Sequence, residues 1–181
     1  MLDPHTGLYY HRLKRPAFEP VRFLTFSCFH ELPLFQNDLI KDAFADALAR
    51  FRTRPGVRLP AWVIMPTHVH LLVELGVKAR LRNLLQSLKG CFARKVLARW
   101  RQLRAPILDR LVAADGTLRF WEAGGGYDRT IRSAWARVNA IDYIHNNPVE
   151  AGLVGRPWEW RWSSVHEYLG QRGLQSQSSP L

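Results

Sequence analysis

The order of hydrophobic periodicities along the chain predicts an α+β fold: an antiparallel split βαβ sheet with two helices on one face and a further helix toward the C-terminus. Three observations carry this. In His68–Leu75, apolar Val69, Leu71, Val73 and Leu75 alternate with His68, His70, Leu72 and Glu74, the period of a strand with one face in the core. The tight Pro66-Thr67 connection joins that strand to the apolar run before it, making a hairpin. The full order is strand, helix, strand, strand, helix, strand, helix, so the first and third strands cannot be hairpin neighbours. The arrangement that satisfies this is ferredoxin-like, with the second face of the sheet left open and carrying His68 and His70.

Each element has its own local reason. Val21–Phe29 is rich in β-branched and aromatic residues and forms the first strand. Asn37 or Asp38 caps a helix over Ile40–Arg52, in which Leu39, Ala43, Phe44, Ala47, Leu48 and Phe51 fall at helical spacing before Pro55-Gly56 stops it. Arg58–Met65 is the second strand. Val77–Trp100 is helical, with Leu81, Leu84, Leu85, Leu88, Phe92 and Val96 as an apolar stripe and Arg82, Lys89, Arg94 and Arg99 on the other side. Ala105–Gly116 is a connection, Thr117–Trp121 a short strand, and Tyr127–Ile131 a further edge strand after the Gly124-Gly125-Gly126 run. Ser133 caps a last helix over Ala134–Asn147, terminated by Pro148. Residues 1–20 read as a basic arm, 21–169 as one domain, and 170–181 as a polar tail without order.

The charge is uneven: 26 Lys and Arg against 15 Asp and Glu, a formal net charge of +11. A polyanion, most often nucleic acid, is the usual beneficiary of such an excess, although a merely basic solvated surface accounts for it too. The two cysteines, Cys28 and Cys91, have no zinc-site or disulfide-framework spacing, and no run is apolar enough for a membrane span or an export signal. A reducing cytoplasm is the expected compartment.

His68 and His70, two apart on a strand, point to the same side, close enough for two imidazoles to converge on one ion. On the last helix Trp135, Val138 and Ile141 share a face, with Asn139, Tyr143 and Asn147 nearly opposite. Asn147 offers a carbonyl oxygen as a third ligand for a hard divalent cation, and Tyr143 a phenol one turn away. Both have plainer readings: Tyr143 as a packing residue and Asn147 as the C-terminal cap before Pro148.

Several blocks occur together in order over Val21 to Leu169. They are Ile64-Met65-Pro66-Thr67-His68-Val69-His70-Leu71-Leu72-Val73, Ser87-Leu88-Lys89-Gly90 before Phe92-Ala93-Arg94, Tyr127-Asp128-Arg129 with Ile131-Arg132, Tyr143-Ile144-His145-Asn146-Asn147-Pro148-Val149 with Ala151-Gly152-Leu153-Val154, and Trp160-Arg161-Trp162-Ser163-Ser164. With these blocks the chain resembles the REP-associated tyrosine transposases, relatives of the single-strand insertion-sequence transposases within the HUH endonuclease superfamily. The resemblance implies a metal-dependent enzyme that nicks and rejoins single-stranded DNA beside a hairpin through a 5′-phosphotyrosine. It makes Tyr143 the nucleophile and His68, His70 and Asn147 the ligands of Mg²⁺ or Mn²⁺. Lys89, Arg94, Arg129 and Arg132 are the expected DNA contacts.

The implied partners are single-stranded or hairpin DNA, with no nucleotide cofactor and no membrane, in a monomer or a homodimer. Thr67 stands where Asn is common before the first histidine, a departure expected to matter little. The glycine run lengthens the approach to Tyr127. Two other functions fit the same residues: a non-catalytic ferredoxin-like module that binds structured nucleic acid, and a hydrolase in which water rather than Tyr143 attacks.

Overall fold

The computed structural model describes residues 21–76, 80–124 and 126–169. The expected basic arm at 1–20 and polar tail at 170–181 lie outside them, as does the start assigned to the second helix at 77–79. Four strands, β1 (Val21–Ser27), β2 (Val57–Ile64), β3 (His68–Leu75) and β4 (Tyr127–Ile131), form one sheet in the order β2-β3-β1-β4. Every neighbouring pair is antiparallel. Helices α1 (Asp38–Arg52) and α2 (Leu81–Gln102) complete the split βαβ pattern, and α3 (Ala134–Glu150) follows β4.

The core lies between the sheet and the α1 and α2 helices. Leu24 and Phe26 of β1 pair with Leu71 and Val69 of β3, so all four face the same side, and all are buried. On that side Phe26, Phe35, Phe44, Phe92, Phe120 and Trp121 form a continuous set of ring contacts. Phe44 of α1 meets Phe92 of α2 edge to face at 4.7 Å, and Phe26 meets Trp121 at 5.0 Å. Such pairs prefer tilted and edge-on geometry because the electron-rich face of one ring attracts the electron-poor edge of another. The α1 helix begins where a side chain satisfies an orphan donor: the Asn37 oxygen accepts from the Leu39 N–H at 2.8 Å.

Three sequence expectations need correction. First, the face bearing the histidines is not left open: α3 lies across it against β2 and β3, burying Ala140, Ile141 and Ile144. Opposite them His70, Leu72 and Glu74 of β3 are buried as well. Second, Pro148 does not end α3, which runs on to Glu150. Proline in a last turn deletes one hydrogen bond, and its fixed φ suits the helix. The true stop is Gly152 at φ 67°, where Leu153 N–H donates to the Pro148 carbonyl and Gly152 N–H to Val149, both at 2.9 Å. This is a Schellman closure. Asn147 is therefore a helix-interior residue and not the cap.

Third, the expected strand at Thr117–Trp121 makes only two isolated bridges, Val112 with Leu118 and Cys28 with Trp121. The turn at Asp115, whose carboxylate accepts from the Thr117 N–H at 3.0 Å, bends the segment before it can run along a neighbour.

The tryptophan-rich segment closes the outer edge of β2. Ile64 N–H donates to the Trp162 carbonyl at 3.0 Å and Ser164 N–H to that of Trp62 at 2.9 Å. Trp162 also donates its indole N–H to Asp42 at 2.8 Å, while the Lys41 ammonium sits 4.0 Å from its ring. An edge so covered offers no free template for another strand.

The two thiols test this packing. Cys91 is exposed, whereas Cys28 is buried in the core and burial pushes its thiol up to about 12. Because the thiolate is the reacting form, the folded protein is expected to take up one maleimide and the denatured protein two, as counted by mass spectrometry. Rapid double labelling of the folded chain would mean that β1 does not hold Cys28 in the core.

Candidate functional site

Strand register builds the site. Thr25 stands opposite His70 across β1 and β3, and Ser27 opposite His68. The Thr25 hydroxyl lies 2.7 Å from His70 Nδ1, and the Thr67 hydroxyl 2.9 Å from His68 Nδ1. With both Nδ1 atoms so engaged, the two Nε2 atoms turn toward each other and stand 3.1 Å apart. Burial lowers both imidazoles, that of His70 to about 3, where the neighbouring His68 adds to the effect. For His68 the hydrogen bond to Asn147 and the charge of Glu31 act in the opposite direction and only moderate the burial. Both rings are thus neutral at pH 7. When each threonine hydroxyl accepts from Nδ1–H, the two Nε2 lone pairs converge on one point, an arrangement that a cation would relieve.

The α3 helix adds the rest. Asn147, 8% exposed, hydrogen-bonds His68 from the buried side of the helix. One turn earlier Tyr143 is 44% exposed, with its ring 5.4 Å from that of His70 and 5.9 Å from that of Phe23. Residues 68, 70, 143 and 147, read separately from a strand and a helix, are therefore together at one place. The helix is fixed there by the Arg137–Glu74 ion pair, with Arg58 a further 3.9 Å from the same carboxylate. Trp135, on the same helix, is 75% exposed: of the expected face of Trp135, Val138 and Ile141 only Ile141 is buried, beside Ala140 and Ile144.

The basic residues divide between the two sides of the sheet. Lys89 lies with the core helices, its ammonium 5.0 Å from the Phe26 ring and 5.6 Å from that of Trp121. Arg94, exposed on the same helix, reaches the Cys91 sulfur at 3.3 Å. Both are across the sheet from the histidines. Arg129 is opposite Phe23 on β4 and shares the histidine face, and Arg132 is exposed just beyond that strand.

Two other tyrosines differ sharply in environment. Tyr168 donates to the Pro60 carbonyl at 2.5 Å and burial pushes its phenol up to about 12; Tyr127 is 54% exposed on β4.

Residues 24–111 match the family model described as "Transposase IS200 like". Over that segment the chain is similar to the IS200-like transposases. The matched segment contains the histidine pair and ends before β4 and α3. A Haemophilus influenzae protein described as a REP-associated tyrosine transposase is 31% identical over 104 residues, which is 57% of this chain and 56% of that protein. The match thus spans little more than half of the relative's length. The structure of a REP-associated tyrosine transposase bound to a REP hairpin superposes with a TM-score of 0.60, covering 87% of this chain and 84% of that one. At 19% identity this likeness is one of fold, and it supports the ferredoxin-like reading.

Sequence reasoning missed Thr25 and gave little weight to Thr67, the hydroxyls that set the two rings. Thr67 was within reach as the residue preceding His68, whose Nδ1 its hydroxyl meets. Thr25 emerges only from the β1–β3 register. No group of three or more His, Cys, Asp or Glu converges as a metal site among the described residues. Any site here depends on Asn147 beside the two imidazoles.

The Arg137–Glu74 pair gives a stability test. Glu74 is buried and Arg137 partly so, and removing one partner from a buried pair typically costs ~3–5 kcal/mol. With Arg58 still nearby, Arg137→Ala is expected to lose about 2–3 kcal/mol in urea unfolding. A loss near zero would show that α3 is held by its apolar face alone.

Proposed function

We propose that this chain is a metal-dependent single-stranded DNA transesterase that nicks and rejoins DNA near hairpins through a 5′-phosphotyrosine at Tyr143. The observation that carries the reading is the placement of an exposed phenol, on a helix, with its ring 5.4 Å from that of the buried, neutral His70, which itself faces the half-buried His68. The alternative nucleophile Tyr168 has its hydroxyl engaged and its ionisation suppressed by burial.

The donor set suits Mg²⁺ or Mn²⁺, with His68, His70 and Asn147 as the residues that would hold it. Such an ion, when bound, supplies Lewis-acid neutralisation of phosphate charge. The chain's own groups do the remainder. Thr25 and Thr67 fix the tautomers and orientation of the two imidazoles. Phe23 packs edge-on to the Tyr143 ring and restricts where its oxygen can swing. The Tyr143 oxygen forms a bond to phosphorus as the bond to O3′ breaks; the phenol gives up its proton and the departing O3′ gains one. The phosphodiester is exchanged rather than hydrolysed, so a second 3′-OH can reverse the step without a nucleotide cofactor. Arg129 and Arg132 lie nearest as cations for the DNA backbone, and Lys89 and Arg94 serve a strand that wraps to the far side of the sheet.

Incubated with a single-stranded hairpin substrate and Mn²⁺, the protein is expected to yield a denaturation-resistant adduct carrying the 5′ end of the downstream fragment. The upstream fragment should end in 3′-OH. Tyr143→Phe keeps the ring and removes the oxygen, so DNA binding should survive and the adduct vanish. Cleavage by Tyr143→Phe without adduct would establish the hydrolase, and binding without any cleavage by wild type would establish the non-catalytic module.

His70→Ala is expected to abolish cleavage and leave hairpin affinity within a few-fold, because phosphate contacts elsewhere supply most of it. Undiminished cleavage by that variant, or by wild type in excess chelator, would remove the metal from the scheme.

A further inference from the structure

The α3 helix covers the histidine face over β2 and β3, leaving a strip of the same face over β1 and β4 less protected. Along that strip Phe23 and Thr25 are half-buried, while Tyr127 and Arg129 opposite them are exposed. Tyr127 is set in place by its neighbour. Gly126 has φ 73°, and a Cβ there would fall 2.0 Å from the Thr25 carbonyl oxygen, so only glycine lets the chain press against β1 immediately before Tyr127. The Tyr127 ring then meets that of Phe23 edge-on at 6.0 Å. Phe23 also touches Tyr143 at 5.9 Å and His70 at 5.7 Å. A single buried-edge ring therefore fixes the distance between an exposed aromatic and the phenol proposed to attack.

From this geometry we infer that Tyr127 is a stacking platform for one unpaired base flanking the scissile phosphate, with Arg129 on the adjoining phosphate. The inference rests on the transesterase reading of the site. An aromatic face open to solvent stacks any base without regard to sequence, and a base so held fixes the nucleotide on which the phosphate hangs. Arg129 follows two residues later on the same face, about 7 Å along the strand, so base and phosphate of one nucleotide have separate partners. Tyr127 does not act as a nucleophile in this scheme; it positions the strand for Tyr143.

The test measures binding in the Tyr143→Phe background, which holds substrate uncleaved, using hairpin DNA whose single-stranded flank carries one abasic site placed in turn at each nucleotide around the cleavage point. Tyr127→Ala is expected to weaken binding of the intact strand about tenfold, the worth of one stacked base, and Tyr127→Phe to restore it. An abasic site at one flanking position should cost the same tenfold with Tyr127 present and nothing further with Tyr127→Ala. A purely structural edge residue would give no such coupling. Equal penalties for every abasic position in both proteins, or full affinity in Tyr127→Ala with an unchanged melting temperature, would overturn the inference while leaving adduct formation by the enzyme with Tyr143 intact as an independent result. Absence of any adduct from the enzyme with Tyr143 would instead bring down the transesterase reading, and the stacking role with it.

Discussion

The pairing of β1 with β3 in a single register is the constraint from which the site follows. A slip of one residue would turn Thr25 to the core side and Leu24 toward His70. Such a slip is opposed on the other face, where Leu24 and Phe26 meet Leu71 and Val69 within the aromatic core. The register is thus held by apolar burial on one side of the sheet and expressed as hydrogen bonding on the other. That separation matters because the hydroxyl–imidazole bonds are worth little net stability by themselves, about 1 kcal/mol each. They orient the rings; they do not hold the strands together.

The second requirement is that α3 arrive at the right height above β3. Its apolar face would allow some sliding, since Ile141 and Ile144 are flexible in what they pack against. Arg137 on Glu74 adds a directional contact near the helix start, and the Schellman closure at Gly152 fixes where it ends. Between those two points lie Tyr143 and Asn147. Another polar contact from the same helix, the 2.9 Å approach of His145 Nε2 to the Ser164 hydroxyl, ties it to the segment that seals β2. Burial lowers this imidazole to about 3, so it packs as a neutral ring.

What could be read in the sequence follows a physical division. Elements whose signal is local were legible: His68–Leu75 and Tyr127–Ile131 match the observed strands in full, and α1 starts at the cap that Asn37 supplies. Features that depend on partners remote in sequence were not. Nothing near Thr25 announces that it faces a histidine 45 residues on. The covering of the histidine face by α3 was hidden because that helix has a weak apolar stripe, with Trp135 exposed at one end and His145 buried in the middle. Pro148 was misleading for a different reason: the rule that proline breaks helices describes an interior position, and in the last turn only one hydrogen bond is at stake.

On the proposed reading, the opposite environments of the imidazoles and the phenol are a requirement rather than an accident. Imidazoles that are to donate lone pairs must remain neutral, and burial achieves this without any charged partner, as the depressed His70 illustrates. A phenol that is to reach a phosphodiester must stay accessible, because the substrate is a polyanion that cannot enter a dry core at reasonable cost. Placing the histidines on a strand and the tyrosine at the margin of a helix meets both demands with residues that touch. The helix supplies the depth difference: Asn147 on its buried side meets His68 below, while Tyr143, one turn earlier, stands at the rim. Had both lain on a strand two residues apart, they would have shared a single depth. Using a strand for the pair and a helix for the phenol lets one small site be buried and open at once.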